Sequence, residues 1–186
     1  VKKLYFATTN DHKFEEARLL MVGYGIKLKQ LKTKAIEIQS ENLEEISKEC
    51  AIQVVAKNPL PVIVEDAGLF IEALNGFPGP FSSYVYKTIG TQGVLRLMRG
   101  IKNRNALFLS AVAFCKPKSD PQVFVGKVDG VITLKERGGY GFGFDPIFQP
   151  KGKKKTFAEM RRGEKNKFSH RAKALRNFAE WFNKKI

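Results

Sequence analysis

The chain has 186 residues, 43% of them hydrophobic, with 33 Lys+Arg against 18 Asp+Glu and a formal charge of +15. That length holds one compact domain, or two small lobes sharing a core, and buries an apolar core without covalent staples. No apolar run approaches the roughly 20 residues of a membrane-spanning helix, and Cys50 and Cys115 are too few and too far apart for a disulfide framework or a metal knuckle; a membrane-embedded or disulfide-stapled fold is excluded, and a reducing, cytoplasmic setting is expected.

The charge is uneven. Residues 1–150 carry a balance of +5 and residues 151–186 one of +10. A basic C-terminal region calls for a polyanion, whether nucleic acid, an anionic membrane surface or a polyphosphate.

Leu4-Tyr5-Phe6-Ala7 predicts a short buried strand that starts directly, leaving no room for a signal peptide. The polar turn Thr8-Thr9-Asn10-Asp11 follows. Phe14, Ala17, Leu20 and Met21 then recur at helical spacing, with Asn10 or Asp11 as N-cap. Residues 26–31 alternate as a half-exposed strand, and Ala35-Ile36-Glu37-Ile38 is read as extending the sheet. Ser40 is expected to cap a helix with the stripe Leu43, Ile46, Cys50 and Val54, ending before Asn58-Pro59. Pro61-Val62-Ile63-Val64 is the continuous apolar run of a strand buried on both faces.

Residues 75–84 read as a loop stiffened by two prolines, and residues 91–98 as a helix. Two strands, 106–114 and 122–134, form an antiparallel hairpin around Lys116–Pro121. Residues 138–143 are a glycine-rich loop and 151–155 a basic turn. A last helix from Ser169 or His170 presents Ala172, Leu175, Ala179 and Phe182 on one face. Strands alternating with helices, plus one hairpin, give an α/β class with a mixed sheet, without internal repeats or a linker.

Four stretches carry candidate chemistry. In Thr8-Thr9-Asn10-Asp11-His12-Lys13, hydroxyls, an amide and a lysine collect where free helix N–H groups carry partial positive charge, a physical anion site. Taken locally, an ordinary capped helix with a solvated lysine fits as well. The glycines of a Walker A loop are missing. In Val64-Glu65-Asp66-Ala67-Gly68-Leu69, two carboxylates end a buried strand, at the edge where α/β sheets place ligands, and alternation sends them to opposite faces. Such carboxylates suit Mg²⁺, with Glu37 as a second acidic ligand; Asp66 fits equally well as a helix N-cap.

In residues 139–148, glycines alternate with aromatics, which gives close backbone approach and flat stacking faces at Phe142 and Phe144. Asp145 is placed there to accept from a base edge or from backbone. An aromatic-packed turn is the plainer alternative, and the spacing is not that of a dinucleotide fingerprint. Glu164–Arg171 leads Lys165, His170 and Arg171 into the last helix. His12 and His170, the only histidines, lack zinc-site spacing, and no Gly-x-Ser-x-Gly elbow supports an acyl-transfer hydrolase.

Six blocks in order resemble the inosine triphosphate pyrophosphatase (Ham1-like) family. They are Thr8-Thr9-Asn10-x-x-Lys13, Val64–Leu69, Gly76-Phe77-Pro78-Gly79-x-x-Ser82-Ser83-Tyr84, Gly141–Phe148, Thr156–Met160 and Ser169-His170-Arg171. Any one is weak; six in order cover nearly the whole chain. Ala67 and Phe144 depart from the threonine and tyrosine frequent in the family, without loss of a catalytic group.

The resemblance implies an elongated mixed β-sheet with flanking helices, in two lobes around a central cleft, and a homodimer. It also implies Mg²⁺-dependent cleavage of ITP, dITP and XTP to the monophosphate and pyrophosphate. By that resemblance Thr8, Thr9, Asn10, Asp11, His12 and Lys13 bind the triphosphate, and Lys165 approaches it from the other lobe. Glu37 and Asp66 hold the metal, and Asp66 accepts the proton of the attacking water. Ala67, Phe142, Gly143, Phe144 and Asp145 contact the nucleotide, Phe142 by stacking and Asp145 at the N1–H edge, while His170 and Arg171 donate to the 6-oxo group. Rival readings are a nucleic-acid-binding module, which has no need of Glu37 or Asp66, a pyrophosphatase with another base preference, and a structural domain. The resemblance favours a small nucleotide partner over nucleic acid or membrane.

Overall fold

The computed structural model describes residues 2–185. In chain order its elements are β1 (Lys2–Ala7), α1 (Asp11–Val22), β2 (Ile26–Leu31), α2 (Leu43–Lys57), β3 (Val62–Ile71), β4 (Pro78–Gly79), α3 (Ser82–Thr88), α4 (Gly90–Leu97), β5 (Asn105–Cys115), β6 (Gln122–Ile132), β7 (Phe148–Pro150), α5 (Arg162–Lys165) and α6 (His170–Lys185). The class is the expected mixed α/β. A seven-stranded sheet runs β2-β1-β3-β5-β6-β7, with β4 paired to β3. β1 lies parallel to β2 (Leu4↔Leu28) and to β3 (Tyr5↔Val62), while β4 on β3 and β7 on β6 are antiparallel. Val1 of the expected opening strand lies outside the described residues.

The chain divides into two compact units. The first holds Val1–Asp66, Ser110–Gly126 and His170–Ile186; the second holds Ala67–Leu109 and Lys127–Ser169. The core of the first unit joins Leu4, Phe6, Ala17, Met21, Ile63, Phe114, Leu175 and Phe178, so the periodic apolar faces of α1 and α6 meet the apolar strands. The core of the second gathers Leu69, Ile71, Val94, Phe108, Phe148 and Phe157. Its aromatic rings pack edge-to-face and tilted, Phe108 and Phe148 at 4.6 Å between centroids.

Four expectations are corrected. Residues 35–38 form no strand: they lie in an irregular stretch where Gln53 of α2 accepts from Ile36 N–H at 2.9 Å and donates to its carbonyl at 3.0 Å, replacing a sheet ladder. Asn42, not Ser40, caps α2, through Glu44 N–H at 2.8 Å. Ser40 instead accepts from Asn42 N–H and donates to Glu45. The segment 75–84 is only partly loop, since it contains β4 and the start of α3. Finally, Glu65 and Asp66 do not end β3 and Asp66 caps no helix; the strand runs on to Ile71 because the apolar run resumes at Ala67 and the Glu65 charge is neutralised within it.

Gly126 on β6 positions the start of α6. A Cβ there would stand 2.2 Å from the His170 carbonyl oxygen and 2.4 Å from Ala174 N, so only a glycine lets the first turn of α6 approach this closely. Gly126→Ala should destabilise the protein by about 1–3 kcal/mol through this overpacking, read as a lowered urea midpoint at unchanged m-value; an unchanged midpoint would show that the turn yields freely.

Candidate active site

In the first unit, the turn into α1 is built as the sequence suggests. Asn10 Oδ1 accepts from Lys13 N–H at 3.1 Å, and Thr8 Oγ1 accepts from Asn10 N–H at 3.1 Å. Thr9 and His12 are exposed, and Thr8 and Asn10 are half-buried. Asp11 is also exposed, and its carboxylate takes Gln30 Nε2 at 2.8 Å and Lys32 at 3.3 Å, which hold it below its ordinary pKa. In this structure Asp11 therefore ties α1 to the β2 edge.

Lys13 folds back onto β3. Its Nζ lies 2.9 Å from Glu65 Oε2 and donates to the Glu65 carbonyl at 3.2 Å. Glu65 Oε1 accepts from Ser110 Oγ of β5 at 2.7 Å and lies 3.1 Å from Arg171 Nε of α6. Arg171 Nη1 in turn meets Glu16 Oε2 of α1 at 2.5 Å. Glu16, Glu65, Ser110 and Arg171 are all buried. Burial alone would raise the Glu65 carboxyl; the Arg171 and Lys13 charges and the Ser110 hydrogen bond outweigh it and hold the group well below the usual carboxylate range.

Asp66 is half-buried and Glu37 exposed. Both act on the same neighbour: the Cys50 thiol is pushed up to about 11 by burial and then by the negative charges of Glu37, Asp66 and Glu49. Each carboxylate therefore lies near enough to Cys50 to act on its thiol. Among the described residues no group of three His, Cys, Asp or Glu side chains could cage a metal. Two hard oxygen donors fit Mg²⁺, which completes its shell with water and phosphate oxygens.

In the second unit, Lys165 lies 2.7 Å from Asp145 Oδ2, which also accepts from Phe142 N–H at 3.0 Å. The ammonium sits 5.1 Å from the Phe142 ring centroid and 5.3 Å from that of Phe157. Gly141 has φ +75°, and a Cβ there would fall 2.1 Å from Asp145 Oδ2, so the glycine is what lets the loop close on the carboxylate. The Thr156–Met160 block braces the same loop. Ala158 O accepts from Tyr140 N–H at 2.9 Å, and Thr156 Oγ1 donates to the Arg137 carbonyl at 2.8 Å. Gly143 and Ala67 are half-buried.

Several of the expected site residues also carry contacts within the protein. Lys165 and Asp145, expected at phosphate and base, are 2% and 3% exposed and neutralise each other, since a buried ammonium requires a counter-charge. Phe144 is a core residue, edge-on to Tyr86 at 5.5 Å. Arg171, expected as a donor to the base, is held by Glu16 and Glu65, and His170 is buried at the start of α6. Phe142 is half-buried.

Comparison with known proteins then decides the lineage: the Ham1 family matches residues 4–181. The chain belongs to the Ham1 family. Among its relatives are proteins named dITP/XTP pyrophosphatase. That of Methanopyrus kandleri is 48% identical over 99% of this chain and 98% of its own, and that of Thermococcus kodakarensis is 47% identical over 99% of both. Solved structures agree: a HAM1 protein from Coxiella burnetii has a TM-score of 0.87 at 30% identity, covering 99% of this chain and 100% of its own. The Staphylococcus aureus Ham1 protein has a TM-score of 0.86 at 25% identity, covering 100% of both.

The Ham1 motifs did not point to Glu16 or Ser110. The sequence holds a signal for each: Glu16 falls four residues before Leu20 on the inward face of α1, and Ser110 interrupts an apolar β5 run. Because the folded Glu65 carboxyl is depressed from its ordinary 4.5, its contribution is fully present above that value and is lost as pH falls below it. Resistance of the wild type to urea should therefore fall between about pH 5 and pH 3, values set around that ordinary carboxylate range. Glu65→Gln should be less stable at pH 7 and should show a flatter decline; parallel declines would assign acid sensitivity to other carboxylates.

Proposed function

We propose that this Ham1-family chain is a nucleoside triphosphate pyrophosphatase acting on dITP, XTP and ITP, releasing pyrophosphate and the monophosphate. The names of the relatives support the activity. The observation that carries the chemistry is on β3, where Asp66 directly follows the residue on which the Lys13 ammonium is docked.

In this reading the triphosphate meets the N-terminal turn of α1, where Thr8, Thr9, Asn10 and Lys13 supply hydroxyls, an amide and a cation to phosphate oxygens. Asp66 accepts a proton from water as the water oxygen bonds to the α-phosphorus. The bond from that phosphorus to the bridging oxygen breaks, and pyrophosphate leaves with the electron pair. Glu37 and Asp66 would hold Mg²⁺, which when bound offsets negative charge developing on phosphate oxygens. His170 and Arg171 remain the motif residues assigned to the 6-oxo group. A donor-lined position disfavours adenine, whose amino group sets donor against donor at about 1–3 kcal/mol per unpaired group.

The test is a panel of NTPs and dNTPs with purified protein, reading pyrophosphate against orthophosphate. Pyrophosphate should appear from dITP, XTP and ITP and not from ATP; orthophosphate as first product would mean attack at the γ-phosphorus and a different mechanism. Asp66→Asn should lower turnover by at least about 100-fold, and near-normal turnover would remove Asp66 from the chemistry. Chelation with EDTA should stop the reaction and added Mg²⁺ restore it; activity retained in EDTA would overturn the metal role.

A further inference from the structure

The buried Ser110 hydroxyl has no part in the reaction as written, yet it touches the carboxylate on which that reaction's cation rests. Ser110 is 0% exposed and lies in an otherwise apolar stretch of β5. Its Oγ donates to Glu65 Oε1 at 2.7 Å, while Lys13 engages the opposite oxygen, Oε2, at 2.9 Å and the Glu65 carbonyl at 3.2 Å. A carboxylate rotates about its last bond, and that torsion is broad. Ser110 and Arg171 Nε, both on Oε1, fix the rotation and so fix where Oε2 stands. The Lys13 side chain is only 18% exposed, so its ammonium follows Oε2.

We propose that Ser110 is a positioning residue for substrate binding: through Glu65 it sets where the Lys13 ammonium meets the triphosphate. This rests on the phosphate role given to Lys13 above. The hydroxyl touches neither substrate nor the reacting atoms, so its loss weakens the grip on phosphate more than it slows the bond-breaking step.

Ser110→Ala should raise KM for the nucleoside triphosphate about fivefold while kcat changes less than about twofold, the scale of one misplaced charge-assisted hydrogen bond. Ser110→Thr and Ser110→Val have side chains of the same size and differ in the hydroxyl. Thr should keep a KM near wild type and Val should share the rise seen with Ala, which separates the hydrogen bond from packing. Calorimetry with inorganic pyrophosphate and with inosine gives a readout that needs no turnover. Pyrophosphate affinity should fall in Ala and Val by the same factor as KM rises, with inosine affinity unchanged, whereas a merely loosened fold would weaken both.

Equal KM in wild type and Ser110→Ala, or equal behaviour of the Thr and Val variants, overturns the proposal. If the wild type releases no pyrophosphate from any nucleotide, the reading of the function fails instead, and the pyrophosphate binding series still decides whether Ser110 governs anion capture.

Discussion

A carboxylate buried in a sheet is the constraint from which the first unit is organised. Glu65 carries its charge inside β3, where an unpaired ion would cost several kcal/mol. It is tolerated because three other elements each bring it a partner: Lys13 from α1, Ser110 from β5 and Arg171 from α6. Arg171 carries the same demand onward to Glu16 of α1. Removing one member of such a set leaves another charge buried without its counter-charge, so the group behaves as a unit rather than as a sum of pairs. Its energetic worth against an apolar core of the same shape is small. What it contributes is register, because α1, β3, β5 and α6 satisfy these bonds in one arrangement.

That register also sets the direction of the residues along β3. Neighbouring residues of a strand point to opposite faces. With Glu65 fixed toward the ionic network, Asp66 is directed to the other face, where it and Glu37 raise the Cys50 thiol. The second unit repeats the principle with other parts: Asp145 and Lys165 neutralise each other, and the pair takes Phe142 N–H, so the glycine-rich loop is shaped around an ion pair rather than around apolar packing.

Much of this architecture was legible in the sequence, and the limits have physical causes. The stripes of α1, α2 and α6 and the alternation of β2 are periodic and appear where expected, because burial imposes those periods. The reading stopped β3 at Glu65 because two adjacent charges look like a strand end; their neutralisation depends on residues 13, 110 and 171, which are distant in sequence. Residues 35–38 look like a strand by composition, yet a glutamine side chain from α2 takes both backbone groups of Ile36. For the site, motifs read Lys165, Asp145 and Arg171 as ligand contacts, and their buried ion-pair partners were not legible. A charged residue looks the same in sequence whether it meets a ligand or a buried counter-charge. Glu16 and Ser110 went unnamed because each is one polar residue in an apolar face, a signal without a motif.

The same distinction changes the meaning of the large positive charge. Lys13, Lys165 and Arg171 are matched by Glu65, Asp145 and Glu16 within the protein. They therefore contribute local geometry and little long-range field. The excess that remains lies on exposed side chains such as Lys151, Lys153, Lys154, Arg161 and Arg162, with Lys155 partly offset by Glu164 at 3.3 Å. Charges of that kind act over about a Debye length, roughly 10 Å at 0.1 M salt, and influence the approach of an anion rather than its final fit. For a triphosphate substrate the two sets separate encounter from recognition. Exposed lysines raise the local concentration of any phosphate without telling one nucleotide from another. Discrimination falls to groups whose positions are fixed by buried partners, because only a donor that cannot move away from a mismatched base makes the mismatch costly.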